Sequence, residues 1–444
     1  MLNKIWMWIL NNIFHITTET KQKEIEDNQK YAFEYESIND INFNAIFSNK
    51  LANYVVSDSN MNIEGDNKRA ELLSKTGQSM WKKAKKITSM SFGFGGLFIV
   101  PYVQRGKIYY SLVPQSRVTI DSTDGDLITG LTILAERKEI SQSVGQTKVY
   151  IRWSNYRLNG NIITIEQKFT DGTGKVIPAP DFWKNMMTKQ VIANVDRVLV
   201  GFVKSPINNR RSNDKYGVPI TYGCDATIKE IKDTMKQIIR EFELKEAFVG
   251  VDYTMFNGEH GLPSNGLYRK IDAGEDNFWE VFDPQFRDSS YFARLQELYK
   301  RLEHEVGTSY GIISEVTTPQ ATATEIRKAM YDTFVLCDDM RSNLEKGLED
   351  FFYSCDVLAN TYNLSPQGEY NVSFDWSYSL LEDTDSEWNH LTQGLNLGVV
   401  KESEVRQWIF PDETIEESEK AIEEIKASEP SVEEMLNTRG EEEW

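Results

Sequence analysis

Gly307-Thr-Ser-Tyr-Gly-Ile-Ile-Ser-Glu-Val-Thr-Thr-Pro-Gln320, continued by Ala321-Thr-Ala-Thr-Glu-Ile326, links an amphipathic stretch at residues 289–306 to a long periodic segment. Downstream, Ile326, Met330, Phe334, Cys337, Met340, Leu344, Phe351, Cys355, Leu358 and Tyr362 recur at spacings of three, four or seven, which places them on one helix face. Thr322 and Glu325 have the S/T-x-x-E spacing of a capping box, so the helix start is specified locally. About 39 residues at a rise of about 1.5 Å make a rod of about 58 Å. A helix of that length is expected in an elongated subunit or an assembly. Gly347 lies inside it; an interior glycine costs about 1 kcal/mol relative to alanine and can mark a bend.

Upstream of the loop two shorter seams flank an irregular segment. In residues 225–246, Ile228, Ile231, Met235, Ile238 and Phe242 step by three and four, a heptad seam suited to packing on another helix. Lys229, Lys232, Lys236 and Arg240 form a second stripe beside it, which Glu230, Asp233 and Glu241 can balance as a solvated face. Residues 248–288 are rich in glycine, with short apolar runs at 248–251 and 278–282 that suggest a small β-containing insertion. Tyr291, Leu295, Leu298 and Leu302 form the second seam. The order is helix, insertion, helix, loop, long helix.

Nearer the N-terminus, residues 41–56 and 66–90 read as helices; the second has Leu72, Leu73, Met80, Trp81, Ala84 and Ile87 on one side and Lys82, Lys83, Lys85 and Lys86 around the rest. Residues 107–113, 127–135, 148–153 and 162–169 have strand composition. Turn signals at Asp124-Gly125, Asn159-Gly160 and Asp171-Gly172 make hairpins of them, so the N-terminal half is α+β with an antiparallel sheet. After the long helix, residues 370–378 alternate as a strand, and 386–397, 401–410 and 412–427 read as helices.

The 444 residues suffice for two or three domains or one large subunit. Net charge is −19, which argues against a protein that grips DNA by neutralising phosphates. Residues 411–444 contribute thirteen acids against three bases, as a solvated helix and tail. Cys224, Cys337 and Cys355 share no metal-ligand spacing; Cys337 and Cys355, on the apolar face of the long helix, read as small buried hydrophobes, and the protein as reduced and intracellular. Residues 1–14 are apolar but too short to span a bilayer and lack a signal-peptide cleavage site. Their apolar residues fall mostly on one helical face, and docking on a neighbouring subunit is expected over a membrane surface.

Enzyme signatures are missing. His15, His260, His304 and His390 have no partners at metal-ligand spacing. Asp171-Gly-Thr-Gly-Lys175 ends like a phosphate-binding loop, but lacks the upstream glycine and the Ser/Thr after lysine. Asp383, Asp385 and Glu387 lack the glycine and distal glutamate of a calcium loop and read as helix-capping residues. No catalytic residue, metal or cofactor is expected.

Glu305-Val-Gly-Thr-Ser-Tyr-Gly311, followed by Thr322-Ala-Thr-Glu-Ile326 and the long helix, resembles the portal proteins of tailed bacteriophages, notably those of long-tailed phages of Gram-positive hosts. The similarity covers most of the chain, including Gly93-Phe-Gly-Gly-Leu-Phe-Ile-Val-Pro-Tyr102 and residues 374–425. It implies an α+β, elongated portal subunit. Residues 1–224 would be the wing, 225–247 and 289–306 two stem helices, 248–288 the clip and 307–323 the tunnel loop. Residues 324–364 would be the long wing helix, 365–385 a strand returning to the wing, and 386–444 a helical crown with an acidic tail. The implied function is a homo-oligomeric ring, usually of twelve copies, at one capsid vertex of the virion, assembled in the host cytoplasm. Double-stranded DNA would pass through its channel in packaging and ejection. Its other partners would be the terminase large subunit, the major capsid and scaffolding proteins, and a neck adaptor.

In the family the tunnel loop projects into the bore, so Thr308, Ser309, Glu315, Val316, Thr317, Thr318 and Gln320 are the expected DNA-proximal residues. Lys229, Lys232, Lys236 and Arg240 would be a second set on the stem. The alternatives are a capsid-associated scaffold or adaptor without a channel, a membrane-peripheral protein and a nucleotide-dependent enzyme.

Overall fold

A computed structural model of the chain describes residues 19–38, 40–143, 146–210, 215–244, 248–252, 268–271, 279–282, 288–315, 323–377, 384–410 and 413–428. The fold is mixed α+β and divides into two units, residues 1–320 with 328–376, and residues 321–327 with 377–444. The expected N-terminal amphipathic segment and the acidic end of the tail lie outside the described residues.

The first unit opens with helices α1 (Glu19–Glu36) and α2 (Phe43–Val56), strand β1 (Asn60–Glu64), and helices α3 (Lys68–Trp81) and α4 (Ala84–Phe94). The periodicity of residues 66–90 suggests one helix, but the structure has two, broken at Lys82-Lys83, where Lys83 leaves helical geometry at ψ 5°. Asn42 and Asn67 cap α2 and α3 with side-chain oxygens that accept backbone N–H groups, as N-cap residues do. Gly95, at φ +84°, ends α4 in the left-handed conformation glycine adopts without strain.

Strands β2 (Gly96–Gln104), β3 (Lys107–Pro114) and β9 (Gly201–Lys204) form one sheet in the order β3-β2-β9. Strands β4 (Val118–Asp124), β5 (Leu127–Ser143), β6 (Gln146–Asn159), β7 (Ile162–Asp171) and β8 (Lys189–Ala193) form an antiparallel meander. The expected turns at Asp124-Gly125 and Asn159-Gly160 join β4 to β5 and β6 to β7. At Asp171 the chain instead turns tightly onto Val176, which bridges Thr170, and reaches β8 only at Lys189. β5 and β6 outrun expectation, because β5 continues to Ser143 after Ile133, its last partner in the β4 ladder.

Alternation along β2 explains the core. Leu97 and Ile99 enter one hydrophobic cluster with Phe47, Leu73 and Ile87, while Phe98 enters a second with Leu131, Ile133 and Ile163 of the meander. Successive strand side chains point to opposite faces, so β2 belongs to both cores. Helices α5 (Asp225–Leu244), α6 (Asp288–Val306) and α7 (Ala323–Thr361) complete this layer, with β10 (Phe248–Asp252), β11 (Tyr268–Ile271) and β12 (Trp279–Phe282) between α5 and α6 in sequence. β13 (Asn371–Asp375) returns to pair antiparallel with β1.

The long helix α7 has 39 residues, as its periodicity implies. Met340, Leu344, Leu348, Phe351 and Phe352 enter the first cluster, and Leu358 enters the second. Gly347, expected as a possible bend, instead meets β9: a Cβ there would lie 2.6 Å from Val203 Cγ2 and 3.0 Å from the Phe202 carbonyl oxygen. Arg69, fully buried, fastens the helix end: it donates to the Asn360 side-chain oxygen at 2.7 Å and to the Ser365 carbonyl at 2.8 Å, and pairs with Asp356. A cation there complements the exposed carbonyl end of a helix.

The second unit contains α8 (Thr384–Asn396), α9 (Glu402–Ile409) and α10 (Ile415–Ser428). Arg406 grips Glu413 with two hydrogen bonds of 2.8 Å, and Trp388 lies 5.6 Å from Trp408. Lys426 pairs with Glu402. Thr414 and Glu417 cap the start of α10 reciprocally.

Candidate nucleic-acid interface

Helices α5 and α6 run antiparallel. Thr227 donates to Glu305 at 2.9 Å and Glu230 pairs with Arg294 at 3.0 Å, so position rises along one helix as it falls along the other. Ile231, Ile238, Leu295, Leu298 and Leu302 are buried in the first hydrophobic cluster, and Ile228, Met235 and Tyr291 pack against it, so both heptad seams face the core. Phe242, the last residue of its seam, is 55% exposed. The insertion between the helices is a small sheet in the order β11-β10-β12, with β10 parallel to β11 and antiparallel to β12.

The loop after α6 is built around Glu303, whose side chain is fully buried. Its carboxylate accepts from the N–H groups of Ile313 at 2.5 Å, Ser314 at 2.9 Å and Gly311 at 3.3 Å, and from the Ser314 hydroxyl at 2.6 Å. On the other side the loop is tied to α7: Ser309 N–H donates to Thr333 Oγ1 at 2.9 Å, and Thr333 N–H donates to Ser309 Oγ at 3.3 Å. Lys50 donates to the Ile312 carbonyl, and Glu315 N–H donates to Gln296 at 2.9 Å. Residues 307–315 are thus fastened to α6, α7 and α2 before the chain enters residues 316–322.

This arrangement redistributes the residues expected near DNA. Thr308 and Ser309 are only 4% and 5% exposed. Thr308 Oγ1 donates to the Glu303 carbonyl at 3.2 Å, and Ser309 makes the reciprocal pair with Thr333. Their hydroxyls hold the loop together and are not presented to a passing phosphate. Glu315 is exposed. Val316, Thr317, Thr318 and Gln320 lie outside the described residues.

The basic stripe on α5 is also divided. Lys232 is half-buried and pairs with Asp40 at 2.7 Å; its ammonium group holds the Asp40 carboxyl below the usual range. Lys229, Lys232 and Lys236 line a groove of about 470 Å³ whose opposite wall includes Phe33, Asp40 and Ile41. Lys236 approaches Asp233 at 3.7 Å, whereas Glu230, expected to balance the lysines, turns to Arg294 and Arg301 of α6. Lys229 and Arg240 are exposed.

Glu303, Thr333 and Lys50 were not legible as loop-holding residues from local pattern. One signal existed: an acid in the last turn of a helix opposes the macrodipole, and Glu303 sits there, four residues before Gly307. Tyr310 and Tyr331, 60% and 65% exposed, are further large side chains on the loop and on α7.

The turn that ends like a phosphate-binding loop is filled from within. Asp171 accepts from Thr173 N–H at 2.8 Å, Thr173 hydroxyl at 2.6 Å and Lys175 N–H at 3.0 Å. The amides that a phosphate-binding loop would offer its ligand at 173 and 175 are therefore spent on the chain's own carboxylate. Cys224, Cys337 and Cys355 are buried free thiols, and burial pushes Cys337 up to about 12. Among the described residues no cluster of histidine, cysteine or acidic side chains could hold a metal ion, and no helix is long and apolar enough to cross a membrane. No family model and no curated protein matches the chain.

Proposed function

We propose that this chain is the portal, or head-to-tail connector, subunit of a tailed bacteriophage. The observation that carries the reading is one continuous series: helix α5, a three-stranded insertion, antiparallel helix α6, a fastened loop and the 39-residue helix α7. Copies joined head to tail by heterologous contacts close into a ring, and duplex DNA passes through its centre. The insertion presents a docking surface for the terminase large subunit during packaging and for a neck adaptor afterwards; major capsid and scaffolding proteins surround the ring.

Loop residues 307–315 serve as the fixed base of a tunnel loop. Glu315 and residues 316–320 meet the duplex, with Thr317, Thr318 and Gln320 as neutral hydrogen-bonding groups for phosphates and Glu315 as a repulsive one. Weak, neutral contacts suit a polymer that must slide, and an acidic chain avoids the tight hold that many phosphate neutralisations produce.

Negative-stain electron microscopy with native mass measurement tests the assembly. Rings with a duplex-sized hole, at about twelve times the 51.2 kDa chain mass, are expected. A chain that stays monomeric at high concentration and with capsid and scaffolding proteins present overturns the reading in favour of a channel-free adaptor. A deletion of Val316–Pro319 tests the loop: rings should still form, with a fall in packaged DNA, and a normal DNA yield removes this segment from the channel.

A further inference from the structure

Lys82, Lys83, Lys85 and Lys86 are all exposed at the junction of α3 and α4. None of the four forms an ion pair among the described residues, although lysines elsewhere, such as Lys30, Lys75 and Lys232, do. The junction rests on a rigid base, because Met80, Ala84 and Ile87 are buried beneath it. Lys83 is further located by Tyr110, whose ring centroid lies 4.9 Å from its ammonium nitrogen.

Local stability does not account for the whole cluster. Lys82 and Lys83 follow the C-terminal end of α3, where cations are favourable, but Lys85 and Lys86 occupy the first turn of α4, where they oppose the helix macrodipole. That helix also lacks an acid in its first turn and a side-chain N-cap. By contrast, α3, α9 and α10 each carry glutamates in the first turn. α2 also starts without an acid but has the Asn42 side-chain cap; α4 has neither, and it places two lysines in that turn.

We infer that this four-lysine junction is a sequence-independent contact site for the phosphate backbone of double-stranded DNA, separate from the loop and the α5 stripe. The net charge of −19 does not forbid it, since charges more than about 10 Å away are largely screened at moderate salt. The surroundings favour a polynucleotide over an acidic protein. No large hydrophobic side chain between Ile41 and Tyr102 is exposed, so this stretch lacks the apolar centre on which protein interfaces rely. Lys83 covers the Tyr110 ring, which is therefore not free for the base stacking that single-strand binding uses.

Fluorescence anisotropy of a short labelled duplex with the full chain, from about 50 to about 200 mM salt, tests the site. Wild type should bind at the low end, with affinity falling steeply as salt rises. The combined Lys82→Gln, Lys83→Gln, Lys85→Gln and Lys86→Gln variant should bind at least about tenfold more weakly and lose about 3 from the log–log salt slope. Arginine at all four positions should restore both. Lys85→Gln with Lys86→Gln alone leaves the end of α3 intact and should lower the slope by about 1.5; its melting temperature should not fall, because cations leave a helix N-terminus.

Absence of wild-type binding, or an unchanged slope in the glutamine variants, overturns the inference. Tighter binding to polyglutamate than to DNA overturns it in favour of an acidic protein partner. The readout needs no ring, so loss of this site and failure of the portal reading are separately visible.

Discussion

Glu303 has no solvent to satisfy its carboxylate and meets three backbone amides and one hydroxyl of the loop instead. Removing it strands those donors, and each buried orphan costs about 1–3 kcal/mol, less where water can enter. Glu303→Ala should therefore lose about 3 kcal/mol in urea unfolding, and Glu303→Gln about half as much, since it retains the shape and one acceptor oxygen. Wild-type stability in Glu303→Ala would mean the loop holds without its carboxylate. Cys337 supports a second expectation. Its folded thiol is pushed up to about 12 by burial, against about 8.5 in an unfolded chain. The folded state keeps a proton that the unfolded state releases, so the contribution is complete below about pH 8.5 and fades as pH rises towards the folded value. Between pH 8.5 and 10 the loss is about 1.5 kcal/mol, and Cys337→Ala should show a correspondingly shallower fall; equal pH dependence in the two proteins would contradict it. At this scale the sequence disclosed Cys337 and Cys355 as buried, because helix spacing alone puts them on the apolar face; it carried no such sign for Cys224, which precedes α5 and is buried as well. It did not disclose Glu303, whose partners depend on how the loop folds back, or Thr308 and Ser309 as loop-holding groups, since a Gly-Thr-Ser sequence is equally at home on a surface turn.

Among the elements, α7 shows both the reach of sequence reasoning and its limit. Its length follows from one uninterrupted face, but the purpose of Gly347 depends on β9, which is far away in sequence. In a solvated helix Gly347→Ala would gain about 1 kcal/mol. Here the added carbon would meet Val203 Cγ2 at 2.6 Å and the Phe202 carbonyl at 3.0 Å, so the helix and strand must part. The sign should reverse, to a net loss of about 1–3 kcal/mol by chemical denaturation; a gain would show that β9 yields easily. The same division holds for the strands. Asp-Gly and Asn-Gly turns made the β4–β5 and β6–β7 hairpins readable, while β1 is a five-residue strand whose partner, β13, is more than 300 positions away. The break between α3 and α4 was hidden because the apolar spacing continues through Lys82-Lys83, even though the backbone does not.

For the molecule as a whole, the two units differ in how much they bury. The first has two large hydrophobic clusters and a long helix that contributes to both. The described part of the second is the first residues of α7 and three C-terminal helices; those three are held by Arg406–Glu413, Lys426–Glu402 and the Trp388–Trp408 contact, with Val405 the buried hydrophobic residue among those described. Solvent-accessible ion pairs contribute about 0–1 kcal/mol each, with the doubly bonded, half-buried Arg406–Glu413 at the upper end, so little besides these, Val405 and the tryptophans opposes the chain entropy of that unit, and local opening follows such differences in burial. A chain ending at Trp376 should therefore retain the main unfolding transition of the full-length protein, with its midpoint unchanged within about 2 °C for a unit of this size. Calorimetry of the two proteins, with near-ultraviolet circular dichroism on the Trp-rich core, distinguishes the cases. A shared main transition makes residues 377–444 an appendage that orders separately. Its loss in the shortened chain would mean that the clusters around β2 and α7 depend on the C-terminal helices for their packing, and that the division seen within one chain is not an energetic one.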